Sequence, residues 1–385
     1  MKENTSFINK YVIAILLVLT LTGMVYTQIP GKDIKSSSHI LTSNQIEKLL
    51  SKPACRESFK RSDTTYQIEK IKIPSNGIEL YCELYLPRTG DKFPLVILTH
   101  GGFNEFDIIM AAPLYDAPIL AHCGFAALVY HKRGTGKSGG DYASSTRDDF
   151  INDIGSIAQY LSKHSRVDPT KIGVIGGSGG GLNGPVAAAR YPLILYVVSK
   201  SGPIVSGEEE GNYNMENSLR FREYPDSLIQ LAMPYWKKHH ALWAKSDTSQ
   251  LKLFTNEIIE LRKKYDMFLL PSTYDEVYSD TNLIFLRPQF NSAGKDVYQE
   301  LSHLKAKFLS IYGEQDKIVP VQSSINNIQK LMDKSGNKDY SIIVLPEVDH
   351  SFINPGTRRQ VPVINIVLNW LYGNVISESY DKSIK

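Results

Sequence analysis

Gly176-Gly177-Ser178-Gly179-Gly180 sets one serine in a G-x-S-x-G frame directly after the apolar run Lys171-Ile172-Gly173-Val174-Ile175. A serine hydroxyl ionises far above neutral pH, so it becomes a useful nucleophile only where a base can reach it, as on a sharp turn from strand to helix. The flanking glycines permit such a turn and let other backbone approach closely. Ser178 is therefore the candidate nucleophile for acyl transfer. The competing reading is an ordinary serine in a glycine-rich turn, in a chain that has 27 glycines. Context decides between them: residues 171–176 read as a buried strand, and Gly181 through Arg190 reads as a helix.

A base and an acid are the further requirements. Lys307-Phe308-Leu309-Ser310-Ile311-Tyr312 reads as a strand and is followed by Gly313-Glu314-Gln315-Asp316-Lys317-Ile318-Val319-Pro320, where Asp316 competes with Glu314 for the acid. A later strand, Tyr340-Ser341-Ile342-Ile343-Val344-Leu345, leads into Pro346-Glu347-Val348-Asp349-His350. His350 is the candidate base, in competition with eight other histidines, including His100, His239 and His240. A fourth feature is the strand Phe93-Pro94-Leu95-Val96-Ile97-Leu98-Thr99, which ends in His100-Gly101-Gly102-Phe103.

These four motifs, in this order, resemble the α/β-hydrolase superfamily, specifically its bacterial serine-esterase branch related to dienelactone hydrolases and prolyl-oligopeptidase-like enzymes. The resemblance covers residues 66–203 and 301–372. It implies a mostly parallel eight-stranded sheet with helices on both faces and an inserted helical cap. By the family pattern Ser178 is the nucleophile, His350 the general base and then acid, and Asp316 the carboxylate that orients the imidazole. Backbone N–H groups of Gly102 and Gly179 form the oxyanion hole. Gly177 departs from the pattern, since many relatives carry a bulkier side chain there.

Gly134-Thr135-Gly136-Lys137-Ser138 resembles the end of a phosphate-binding loop, but the motif needs a glycine where His131 stands. Arg133 through Ser138 instead matches the R-G-x-G-x-S turn that follows the fourth core strand in this superfamily.

Composition narrows the class further. The chain has 385 residues, 42% of them hydrophobic, enough for a substantial core. Its net charge of +3 gives no electrostatic case for nucleic acid or an acidic partner. The sequence holds no CxxC pair and no histidine cluster to suggest a metal, and no cofactor is implied. Cys55, Cys82 and Cys123 allow at most one intramolecular disulfide, and buried free thiols are the alternative.

Lys2 and Lys10 precede the apolar run from Tyr11 to Leu21, the form of a secretory signal peptide, with Val25-Tyr26-Thr27 suited to cleavage before Gln28. An uncleaved membrane anchor over residues 11–26 is the alternative. The expected location is outside the cytoplasm, periplasmic or extracellular.

The expected organisation follows. Residues 1–27 are the signal peptide or anchor and 28–65 an N-terminal helical extension, with a helix at Ser43 to Leu50. Residues 66–203 form the first part of the hydrolase core, opening with a hairpin, Tyr66 to Ile73 and Ile78 to Leu86, around Asn76-Gly77. Further elements are the strand Phe125 to Tyr130, the helix Arg147 to Lys163 and the strand Leu193 to Ser199. Residues 204–300 are the cap, since so long a connection rarely stays structureless. Helical runs are expected at Ser227 to Ala232, Trp236 to Ala244 and Leu251 to Tyr265. Its aromatics, Tyr213, Tyr224, Tyr235, Trp236, Trp243, Phe254 and Phe268, form mostly its own small core, with a few lining the pocket. Residues 301–385 complete the hydrolase core.

The expected activity is hydrolysis of a small-molecule ester or short acylated substrate through an acyl-enzyme. A peptidase, a thioesterase or acyltransferase, and a catalytically silent binding protein are the alternatives. Glu208-Glu209-Glu210 would suit a cationic substrate group if it faced the pocket, and otherwise reads as solvated surface.

Overall fold

Residues 39–60, 62, 64–101, 112–244, 248–267 and 296–376 are described in a computed structural model of the chain. The N-terminal segment read as signal or anchor, Gly102 of the oxyanion loop and Phe268 of the cap lie outside them.

Two short helices, α1 (Ser43–Leu50) and α2 (Ala54–Ser58), precede the sheet. The hairpin β1 (Tyr66–Ser75) and β2 (Ile78–Pro87) turns at Asn76 and Gly77, both with positive φ, the geometry that matches the right-handed twist of the flanking strands. The chain then runs through β3 (Phe93–Thr99), α3 (Ala112–His122), β4 (Ala126–Tyr130), α4 (Arg147–Leu161), β5 (Val167–Gly177), α5 (Gly179–Arg190) and β6 (Tyr196–Lys200). Three helices follow, α6 (Gly207–Phe221), α7 (Asp226–Ala244) and α8 (Thr248–Tyr265). After them come β7 (Lys307–Gly313), α9 (Val321–Ser335), β8 (Tyr340–Leu345) and α10 (Val363–Leu371).

The eight strands form one sheet in the order β1-β2-β4-β3-β5-β6-β7-β8. β2 pairs antiparallel with both β1 and β4, and every other pairing is parallel. Parallel strands flanked by helices must be apolar on both faces. All five residues of β4 are buried, as are six of the seven in β7. The order reverses between β3 and β5, and in such sheets ligands bind outside the carboxyl ends of the strands at the reversal. Ser178 stands directly after β5.

The described part of the N-terminal extension is tied to the core. Leu41 donates its N–H to the carbonyl of Ile342 in β8, and Asn365 and Asn369 of α10 donate to carbonyls of Leu50, Leu49 and Ser51. A disulfide joins Cys55 in α2 to Cys123 just after α3, while Cys82 is a buried free thiol within β2. Of the two open sequence readings the structure shows the single disulfide, with the third cysteine a buried thiol.

The helical insertion departs from its expected runs in two ways. The segments expected on either side of Pro234 are one continuous helix, α7, which tolerates the missing N–H of the proline inside it. The helix α6 was not expected at all. Its start is fixed by the Ser206 hydroxyl, which accepts the Glu209 N–H at 3.1 Å, and by Glu208, Glu209 and Glu210 in the first turn, where carboxylates favour the helix dipole. α6, α7 and α8 enclose a second hydrophobic cluster of Leu219, Ile229, Phe254 and Ile258, against which Tyr224, Tyr235 and Trp236 pack.

Candidate active site

Ser178 occupies the turn between β5 and α5 with φ 53° and ψ −126°, a conformation costly for a residue with a side chain and concentrated at functional sites. Two glycines of the motif allow it for steric reasons. A Cβ on Gly176 would lie 2.1 Å from the Gly180 carbonyl oxygen, and one on Gly180 would lie 2.7 Å from that of Thr99. At Gly177, by contrast, a Cβ would meet nothing within 4 Å. The absence of the family's bulkier residue at 177 therefore leaves room beside the serine.

The loop after β3 closes on the same serine. A Cβ on Gly101 would lie 2.9 Å from Ser178 Cβ and 3.2 Å from Ser178 Oγ, so only glycine admits this approach. Gly179 is the first residue of α5, and the first N–H groups of a helix have no intrahelical acceptor.

Asp316 is buried on the loop after β7, and His350 lies on the loop after β8. The His350 Nδ1 is 2.8 Å from Asp316 Oδ2. The other carboxylate oxygen, Oδ1, accepts the N–H groups of Ile318 at 2.8 Å and Val319 at 2.9 Å. Glu314, its competitor on the same loop, accepts the Glu347 N–H at the surface. Ser178 and His350 are anchored to neighbouring residues at the end of β6: Ser178 donates its N–H to the Lys200 carbonyl at 2.8 Å, and the Ser201 hydroxyl donates to the His350 carbonyl at 2.9 Å. The structure thus gathers Ser178, Asp316, His350 and Gly179 at the carboxyl ends of the strands.

His100 is a poor alternative base. Burial, reinforced by the charge of Lys132, pushes it down to about 3, so its ring binds protons weakly, and its Nδ1 lies 3.0 Å from the Gly101 carbonyl oxygen. The side chains of His239 and His240 fall outside the described residues.

Three residues outside the expected triad stand close to this group, and of them only Lys132 has no place in the sequence reading. Tyr213 of α6 donates its hydroxyl to the Asp316 carbonyl at 2.8 Å, linking the cap to the acid's loop rather than to the cap core. Glu210 is partly buried, whereas Glu208 and Glu209 are exposed, so exposure divides the acidic run. Burial raises the Glu210 carboxyl, opposed by the nearby positive charge of Arg147 and by His350, while Asp316 raises it further. Lys132, just after β4, is buried and donates to the Gly101 carbonyl. No sequence signal points to that last contact, which joins the chain after β4 to the chain after β3.

The glycine-rich stretch Arg133–Ser138 serves the scaffold. Arg133 pairs with buried Asp153 through two hydrogen bonds of 2.9 and 2.6 Å, and a Cβ on Gly134 would lie 1.9 Å from the Tyr142 nitrogen. A cavity of about 670 Å³ lies on the α6 side of Asp316, lined by Asn212, Tyr213, Glu216, Val321 and Ile325 among others. Neither Ser178 nor His350 lines it, so it is not the space in which those two groups would act on a substrate.

Among solved structures the chain is similar to the esterase Pf2001 of Pyrococcus furiosus, with a TM-score of 0.50 and 16% identity over 83% of this chain and 95% of that one. It is also similar to 2,6-dihydroxy-pseudo-oxynicotine hydrolase, with a TM-score of 0.51 and 15% identity over 81% of this chain and 69% of that one. A third is DcsB in complex with its substrate analogue, with a TM-score of 0.51 and 17% identity over 80% and 99% of the two chains. At these identities the likeness is one of fold. A curated relative from Escherichia coli, an uncharacterized 31.7 kDa protein in the traX-finO intergenic region, is 30% identical over 126 residues, 33% of this chain. That match spans 42% of the relative's length. The family model described as serine aminopeptidase, S33, matches residues 91–355, which include β3, the turn at Ser178, Asp316 and His350. The chain belongs to this hydrolase family of the α/β-hydrolase superfamily.

Proposed function

We propose that this protein is an exported serine hydrolase that cleaves carboxylic esters of small molecules through an acyl-enzyme. The observation that carries the reading is the anchoring of Ser178, in its strained turn, and of His350 to the adjacent residues Lys200 and Ser201. His350 takes the Ser178 proton as the hydroxyl attacks the carbonyl carbon, then returns it to the departing alcohol. Water, deprotonated by the same imidazole, attacks the acyl-enzyme and releases the acid. Asp316 holds the ring through Nδ1 and stabilises its positive charge when formed. The N–H groups of Gly179 and Gly102 are the proposed oxyanion donors, each contributing about 3–4 kcal/mol to the barrier reduction.

Export is supported by the Cys55–Cys123 disulfide, since such bonds persist mainly in oxidising compartments. Residues 1–27 are the proposed signal or anchor.

A second reading, a peptidase that recognises a free amino group, is favoured by one observation: Glu210 is the member of the acidic run that is partly buried and interacts with both His350 and Asp316. The two readings separate in one experiment, turnover of p-nitrophenyl esters of increasing acyl length beside aminoacyl p-nitroanilides, by the protein and its Ser178→Ala variant. Ester turnover lost in the variant supports the esterase. Anilide turnover lost in the variant supports the peptidase, and turnover kept by the variant rejects both.

A further inference from the structure

Lys200, the last residue of β6, and Ser201 after it touch both partners of the proposed proton transfer. The peptide group between them is held on two sides. Its carbonyl accepts the Ser178 N–H at 2.8 Å, and its N–H, that of Ser201, is donated to the Ile311 carbonyl of β7 at 2.8 Å. A peptide group is planar, so these two bonds fix its place between the end of β5 and β7. The flanking residues are tied as well. The Ser199 hydroxyl donates to the Gly181 carbonyl of α5 at 2.7 Å, and the buried Tyr312 hydroxyl donates to the Gly202 carbonyl at 2.8 Å. A Cβ on Gly202 would lie 2.3 Å from Ser199 Oγ and 2.5 Å from the Gly181 carbonyl oxygen, so this corner sits directly on α5.

Ser201 stands in the corner with φ 51°, in the left-handed region that glycine adopts without steric cost. Non-glycine residues held in that region concentrate at functional sites. Glycine would satisfy the backbone here; what serine adds is a hydroxyl, on a residue that is 2% exposed, and that hydroxyl donates to the His350 carbonyl at 2.9 Å. His350 is thus restrained at two points, its backbone by Ser201 and its ring by Asp316, whose Oδ2 is 2.8 Å from Nδ1. The bond to Nδ1 holds one side of the ring. Where the far nitrogen, Nε2, lies also depends on the backbone that carries the ring, and the Ser201 hydroxyl fixes that backbone.

We infer that Ser201 is a positioning residue for acyl transfer: with Ser178 held through the Lys200 carbonyl and His350 through the Ser201 hydroxyl, one rigid corner sets the separation of nucleophile and base. The inference rests on the acyl-transfer reading proposed above. Proton transfer between the two needs a heavy-atom separation of about 2.6–3.2 Å, and a misplacement of about 1 Å can cost on the order of 10²-fold in rate. The hydroxyl, and not the backbone conformation, is what position 201 contributes to that separation.

The test uses the full chain and compares wild type, Ser201→Gly, Ser201→Ala and Ser178→Ala in p-nitrophenyl ester turnover, rate of labelling by a fluorophosphonate, and urea unfolding. Ser201→Gly takes up a φ of 51° without strain, and so serves should Ser201→Ala fail to fold. Well below the melting temperature, kcat is expected to fall at least about fivefold in each folded variant, with KM changed less than about threefold and labelling slowed in parallel. A residue with only a structural role would shift the unfolding curve and leave kcat of the folded protein unchanged. A smaller fall in kcat and labelling in Ser201→Gly, or a loss carried by KM, therefore overturns the inference. Turnover retained by Ser178→Ala, or a wild type that neither cleaves esters nor takes up the fluorophosphonate, instead rejects the acyl-enzyme reading itself, and the inference falls with it.

Discussion

Asp316 divides its two carboxylate oxygens between His350 and the backbone: Oδ2 faces the ring nitrogen at 2.8 Å, and Oδ1 accepts two N–H groups of its own loop. The backbone bonds fix the carboxylate, and the carboxylate fixes the ring. Asp316→Asn keeps the size but presents a neutral amide that favours the wrong imidazole tautomer. It is expected to lower kcat by about 10³- to 10⁴-fold, by analogy with loss of the triad acid elsewhere. A melting curve beside the kinetics separates this from unfolding; a folded Asp316→Asn enzyme with near-normal kcat would remove Asp316 from the mechanism.

Gly101 and Gly177 both border Ser178, and they should respond oppositely to the same methyl group. Gly101→Ala forces a Cβ to 2.9 Å from Ser178 Cβ and is expected to cost on the order of 10²-fold in kcat through displaced geometry. Gly177→Ala meets open space and should leave kcat within about twofold of wild type. Equal losses in the two variants would mean that the approach of Gly101 to the serine has no catalytic consequence.

The disulfide closes a loop across a sequence separation of 68 residues and pins α2 to the end of α3, away from the serine. Replacing Cys55 and Cys123 together by serine should lower stability by about 2–4 kcal/mol while sparing kcat at low temperature. Unfolding in denaturant with and without reductant measures the difference, and wild-type stability unaffected by reductant would show the bond to be absent or unimportant.

Glu210 gives the pH dependence a sign. Its folded carboxyl titrates above its ordinary 4.5, so at more acid pH both states hold the proton and burial costs nothing electrostatic. As pH rises past 4.5 the unfolded chain releases the proton first, and stability is lost progressively up to the raised folded value. Glu210→Gln should therefore raise the melting temperature at pH 7, with the gain shrinking toward pH 4. If the peptidase reading holds, the same change also weakens anilide turnover more than ester turnover. A melting temperature that falls at pH 7 would show that the carboxylate is stabilised by its neighbours and not strained by burial.

Much of the fold was legible because strands buried on both faces must be continuously apolar. Leu95 to Leu98, Ile172 to Ile175 and Tyr340 to Leu345 leave little choice, and the motifs at the strand ends followed from them. What stayed hidden depends on contacts across the chain. Three cysteines permit three pairings, and only the placement of Cys82 inside β2 leaves Cys55 and Cys123 to meet. The start of α6 carried its signals, Ser206 and three glutamates, but Gly207, Gly211 and the asparagines that follow weaken helix propensity and masked them. Lys132 carries no sequence signal, because nothing in sequence reveals that its ammonium, just after β4, reaches the Gly101 carbonyl.

The most direct test of the central claim is intact-mass and peptide analysis after treatment with a fluorophosphonate, which phosphonylates an activated serine. Wild type should take up a single adduct on the peptide containing Ser178, with ester turnover falling in step, and Ser178→Ala should take up none. An adduct on another residue, or ester turnover that survives full labelling of Ser178, would contradict the account.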